Sequence, residues 1–96
     1  MTTQGIYEIL YNFKIAPDVY SMVLAGDTSS LLAPGQFVNI KLEGKFLRLP
    51  ISVCDYNEET ITLIYKVVGE GTEQMSKMKA GEKLDVLVAR NLLKIK

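Results

Sequence analysis

The sequence predicts an all-β fold: a small six-stranded antiparallel Greek-key barrel with one short helix. Three observations carry that prediction. Apolar and polar residues alternate in short runs along most of the chain, turn chemistry punctuates the runs at close spacing, and a single stretch carries helical spacing. A length of 96 residues suits one domain, and a hydrophobic content of 48% is enough for one core. Several short strands closely spaced in so short a chain favour a barrel over a sandwich.

The first strand is expected over Ile6–Lys14, where Ile6, Glu8, Leu10 and Asn12 interleave with Tyr7, Ile9, Tyr11 and Phe13. Ala16-Pro17-Asp18 has turn chemistry and leads into a second strand, Val19–Leu24. After the polar stretch Gly26–Ser30, Pro34-Gly35 marks a turn that launches a third strand, Gln36–Leu42, with Phe37 or Val38 opening the two alternate faces. Glu43-Gly44-Lys45 reads as a turn and Phe46–Cys54 as the fourth strand, bounded by Asp55–Glu59. Proline has no N–H for a ladder, so Pro50 implies that this strand is an edge there or bends, and a bend gives a ligand room to approach. Thr60–Val68 is rich in β-branched and aromatic residues and forms the fifth strand. A short helix is expected over Thr72–Met78, with Thr72 as its cap, Met75 and Met78 on its buried stripe and Ala80-Gly81 as its stop. Lys83–Ala89 resumes alternation as the sixth strand. The barrel domain is therefore placed at residues 1–89 and a divergent tail at 90–96.

Composition narrows the chemistry. Eleven basic and eleven acidic residues balance to a formal charge of zero, which argues against nucleic acid and anionic membrane surfaces as partners. An oligonucleotide-binding barrel has five tyrosines in its favour but lacks a basic groove. The chain has no histidine and a single cysteine, Cys54, so Ser–His–Asp and Cys–His constellations, an internal disulfide and a metal cluster held by this chain alone are not expected. With no signal-like start and no membrane-length apolar run, a cytoplasmic location is expected.

Two short blocks stand out. Leu49-Pro50-Ile51-Ser52 offers a proline-stiffened strand ending in a hydroxyl, suited to lie against a flat ring such as isoalloxazine. Downstream, Ile64-Tyr65-Lys66 is followed by Gly69-Glu70-Gly71-Thr72, where a glycine pair opening a helix can present backbone N–H groups to a pyrophosphate. Each block alone has a plain structural reading. Ser52 reads as a strand serine facing solvent, Tyr65 as part of a barrel wall, Lys66 as a solvated cation, and the glycines as a turn with Thr72 as a cap. Together, in order and at this spacing, they point to the two halves of one cofactor site.

From Pro34-Gly35-Gln36-Phe37-Val38 through Leu49–Asp55 and Leu63–Thr72 to Leu84-Asp85-Val86-Leu87, the chain resembles the FAD-binding domain of B-type dihydroorotate dehydrogenase electron-transfer subunits, members of the ferredoxin-reductase-like flavoproteins. The resemblance implies FAD as cofactor, held by Leu49, Pro50, Ile51, Ser52, Ile64, Tyr65, Lys66, Gly71 and Thr72. It implies Ser52 on the polar edge of the flavin, an aromatic contact from Tyr65, and Lys66 near phosphate. It also implies a role in electron transfer within pyrimidine biosynthesis, with a dihydroorotate dehydrogenase catalytic subunit as partner. The nucleotide-type domain and iron–sulfur centre of complete subunits have no counterpart in this sequence, so the barrel is expected to bind and tune a flavin without being catalytic alone. The alternative is a cofactor-free structural barrel that associates with itself.

Two departures stand out. Family members usually place an arginine directly before the proline, where this chain has Leu49, and Arg48 one residue upstream faces the opposite side of an ideal strand. Losing one charge-assisted phosphate contact weakens FAD binding by about 1.5–3 kcal/mol. After Leu87 the family's glycine-rich segment is replaced by Val88–Lys96, in which Leu92, Leu93 and Ile95 predict self-association as a homodimer.

Overall fold

The computed structural model describes residues 2–31 and 34–89, so the tail and the self-association expected of it lie outside the described residues. Six strands, β1 (Thr2–Ala16), β2 (Val19–Ala25), β3 (Phe37–Lys41), β4 (Leu49–Tyr56), β5 (Thr60–Lys66) and β6 (Lys83–Ala89), close into a barrel in the order β1-β2-β5-β4-β3-β6. A single helix, α1 (Glu70–Ser76), joins β5 to β6. Every pairing is antiparallel, and the non-sequential neighbours give the Greek-key path.

Alternation decides what each strand buries. Tyr7 and Ile9, Met22 and Leu24, Val38 and Ile40, Ile51 and Val53, Ile61, Leu63 and Tyr65, and Leu84, Val86 and Val88 point inward and form one core. The intervening residues face out. β1 is long enough to serve two neighbours: its first half pairs with β6 and its second with β2, with a register shift between Ile9 and Tyr11 where the strand turns from one to the other.

Polar groups lock both ends of the barrel. At one end the Tyr7 hydroxyl donates to the carbonyl of Asp27, and Gly26 is required because a Cβ there would run into the Tyr7 ring. Burial and the neighbouring Asp27 carboxylate raise the pKa of this tyrosine. At the other end Asn12 is the staple. Its Nδ2 donates to the carbonyls of Met75 (2.8 Å) and Met78 (2.9 Å), satisfying the end of α1, while its Oδ1 accepts from the Tyr65 hydroxyl at 2.8 Å. Met75 is fully buried beneath this arrangement.

Several elements differ from the sequence expectation: β1 spans Thr2–Ala16 instead of Ile6–Lys14, β2 runs one residue further, β3 is Phe37–Lys41 instead of Gln36–Leu42, β5 ends at Lys66 instead of Val68, and β4 and α1 start elsewhere. β4 begins at Leu49 instead of Phe46 and runs on to Tyr56. A tight turn closed by the Lys45 N–H on the Leu42 carbonyl (3.1 Å), with Gly44 at φ +81°, throws Phe46 and Leu47 outward, so their apolar character does not mark a strand. The helix begins at Glu70, not Thr72. Gly69 is its cap residue and Thr72 is the third residue of the first turn, its hydroxyl reaching back to accept from the backbone N–H groups of Val68 (2.9 Å) and Gly69 (3.2 Å).

Candidate functional site

The barrel wall opens between β4 and β5. The ladder joining them comprises Val53↔Leu63, Asp55↔Thr62 and Tyr56↔Ile61, and no register pair joins them before Val53. From Leu49 to Ser52, β4 pairs only with β3; from Ile64 to Lys66, β5 pairs only with β2. The two strand segments singled out in the sequence therefore form the two lips of one seam.

The backbone addresses this seam in a defined pattern. Val53 exchanges hydrogen bonds with Gly35 and Gln36 (both 2.8 Å), and the Val67 N–H donates to Asp18 at 2.7 Å. In an antiparallel ladder, alternate residues direct their N–H and C=O groups to opposite sides. Pro50 and Ser52 consequently turn theirs towards β5, and Ile64 and Lys66 turn theirs towards β4. Pro50 lies where a missing N–H leaves no gap in a ladder, as expected for an edge.

The outer face of the seam is equally ordered. Pro50, Ser52, Ile64 and Lys66 are exposed, whereas Ile51 and Tyr65 point into the core. The Ser52 hydroxyl lies 3.4 Å from the Gly35 carbonyl, a long contact that a better acceptor would replace. Cys54 follows on the same outward face as a free thiol, and Phe37, directly paired with Ser52, stands beside it at 54% exposure.

Other residues of the expected site make contacts within the barrel. The Tyr65 ring stacks on Tyr20 with centroids 5.8 Å apart, and its hydroxyl belongs to Asn12. Desolvation is the main cause that pushes this phenol up to about 12, and the aromatic contact expected of it falls inside the wall. Leu49 also turns inward. It packs on the core beside Gly71, where an added Cβ would lie 3.3 Å from a leucine methyl, so this glycine serves a close approach of helix to strand. Leu49, Leu42, Phe46, Leu47 and Gly71, together with the cations Lys45 and Arg48, border a hollow of about 420 Å³.

The cations near this end are mostly committed. Arg48 reaches across β3 to donate to the Asn39 carbonyl (3.1 Å) and pair with the Asp85 carboxylate at 3.1 Å, so it does not stand in for an arginine at position 49. Lys45 pairs with Glu70 at 2.8 Å, which holds the Glu70 carboxyl below its usual pKa. Lys66 makes no ion pair among the described residues. The seam sets apolar side chains beside open polar groups, while the hollow around Leu49 and Gly71 is lined by two cations that are engaged with the carboxylates of Glu70 and Asp85.

The barrel superposes on the corresponding part of solved ferredoxin reductases. The ferredoxin reductase of carbazole 1,9a-dioxygenase superposes with a TM-score of 0.80 over 94% of the chain at 19% identity. A ferredoxin NADP+ reductase from Neisseria gonorrhoeae, solved with FAD and NADP bound, superposes with a TM-score of 0.70 at 14% identity, covering 95% of this chain and 40% of its own. These two establish the fold alone. No family model matches the chain.

Sequence similarity narrows the class. The dihydroorotate dehydrogenase B (NAD(+)) electron transfer subunit of Streptococcus mutans is 45% identical over 78 residues, 77% of this chain, and that of Caldanaerobacter subterraneus is 43% identical over 80 residues, 82% of it. The structure of an NADH-dependent reduced ferredoxin-NADP oxidoreductase, studied for flavin-based electron bifurcation, matches at 36% identity and a TM-score of 0.75, covering 85% of this chain and 31% of that one. Over most of its length the chain is a homologue of dihydroorotate dehydrogenase B electron-transfer subunits, with a ferredoxin-reductase-like barrel. It spans about 30% of the length of the curated relatives it matches.

Proposed function

We propose that the seam between β4 and β5 binds the isoalloxazine ring of FAD, and that the chain is the flavin-binding part of an electron-transfer module. The observation that carries this reading is the end of the β4–β5 ladder at Val53↔Leu63, which leaves the two family blocks facing each other across an open seam. A bound flavin supplies reversible uptake and release of electrons. The chain's own groups bind and orient it. The Ser52 N–H and the backbone of Lys66 address the polar edge, the Ser52 hydroxyl leaves its long contact to donate there, and Pro50 and Ile64 cover the ring from water. Lys66 attracts the phosphate as a point charge.

By its homology the module serves electron transfer in pyrimidine biosynthesis, in the cytoplasm, with a dihydroorotate dehydrogenase catalytic subunit as partner. Electron donor and acceptor chemistry belongs to regions that the curated relatives have and this chain does not span. The test is a titration of the purified chain with FAD and FMN, followed by flavin fluorescence. Saturable quenching by both, with FAD the tighter, supports the reading; no saturable change with either removes it.

A second reading, a cofactor-free barrel that associates with itself, is favoured by the exposure of Phe46 at 99% and Leu47 at 76%. Sedimentation separates the two: a colourless dimer that ignores flavins is the second, and a flavin-binding monomer is the first.

A further inference from the structure

We propose that Phe37, on β3, is a ring-contact residue of the flavin site, packing its side chain against the bound isoalloxazine next to Ser52; the inference rests on the flavin reading of the seam. Phe37 is the register partner of Ser52, so the two side chains emerge on the same outward face as direct neighbours. Continuing the β4–β5 register by one step past Val53↔Leu63 sets Ile64 at the same level across the seam. Phe37, Ser52 and Ile64 thus form one row, with a hydroxyl between two large apolar groups that are 54% and 43% exposed.

Such a row has a definite chemical complement. The backbone groups that the seam leaves open offer hydrogen bonds to atoms along one edge of a ligand, and the flanking phenyl and sec-butyl groups offer apolar surface to its faces. A flat heteroaromatic ring uses both, whereas a phosphate or a sugar uses only the first. Phe37 has no packing duty inside the barrel: the inward position of its strand belongs to Val38, which is fully buried.

The experiment compares the full chain with Phe37→Ala, Phe37→Leu and Phe37→Tyr, and with Tyr11→Ala as a control on the far strand β1, where Tyr11 is 60% exposed. FAD and riboflavin are titrated into each by flavin fluorescence, and folding is checked by thermal melting. Phe37→Ala is expected to weaken both flavins alike by about tenfold, as loss of one aromatic stacking contact does. Phe37→Leu falls between, Phe37→Tyr binds as the parent does, and Tyr11→Ala changes nothing. Equal binding by Phe37→Ala and the parent overturns the inference and leaves the flavin reading standing; so does a loss confined to FAD, which places the contact away from the ring. If the parent binds neither flavin, both fall together.

Discussion

The two halves of strand β4 share one backbone and have different tasks. Val53 to Tyr56 is zipped to β5, and Val53 lies over the fully buried Leu63. Leu49 to Ser52 keeps its partner on the β3 side and faces an opening on the other. The zipped half contributes stability through burial, while the open half keeps backbone groups and outward side chains for a ligand. The difference teaches that a barrel can hold a site in its wall by ending one ladder early, with the rest of the sheet closed around it.

If that division holds, core substitutions in the zipped region act on stability and outward substitutions at the seam act on binding. The largest effect is expected from Leu63→Ala, which empties a fully buried position and costs about 2–5 kcal/mol in denaturant unfolding, against about 0.5 kcal/mol or less for its exposed neighbour Ile64→Ala. Comparable losses for the two would erase the distinction.

At the open half, Leu49→Arg restores the guanidinium that the family resemblance places before the proline. It is expected to tighten FAD binding by about 1.5–3 kcal/mol while changing riboflavin binding little, since only FAD carries the phosphates. Equal gains for both ligands would put the new charge in the wrong place.

Tyr65 sharpens the comparison through pH. Its pKa rises from the ordinary 10.0 to about 12 in the folded chain, so the folded state holds this proton more tightly than the unfolded one. The associated stability, on the order of 2 kcal/mol, is complete below pH 10 and is lost as pH rises from about 10 to 12. Unfolding measured across that window should show the loss in the parent and a shallower slope in Tyr65→Phe. The smallest effect is that of Ser52→Ala, a fall in flavin affinity of about 1 kcal/mol with an unchanged melting temperature. A drop in stability instead would make Ser52 a structural residue.

Much of this was legible in the sequence because side-chain alternation is a local property. The runs at Val19–Leu24 and Lys83–Ala89 fall on β2 and β6, with β2 extending one residue further. Local pattern failed where a tertiary choice decides. Phe46 and Leu47 look like strand residues until the Gly44 turn throws them outward. Thr72 looks like a cap residue, yet its hydroxyl does the capping from the third position of the helix. Alternation at Phe37-Val38 fixes that the two face opposite ways, not which faces out, so Phe37 was not among the expected site residues. β4 and β5 are consecutive strands of one hairpin, so that they meet is a local matter; where their ladder ends is set by the register, which alternation alone does not fix.

The most direct test of the central claim is a backbone amide NMR titration of the full chain with FAD. The account predicts saturable shifts at Phe37, Ser52, Ile64 and Lys66, with β1 and the zipped segment Asp55–Tyr56 unmoved. Saturable shifts centred on β1 or on the zipped half of β4, with the seam amides silent, would contradict it.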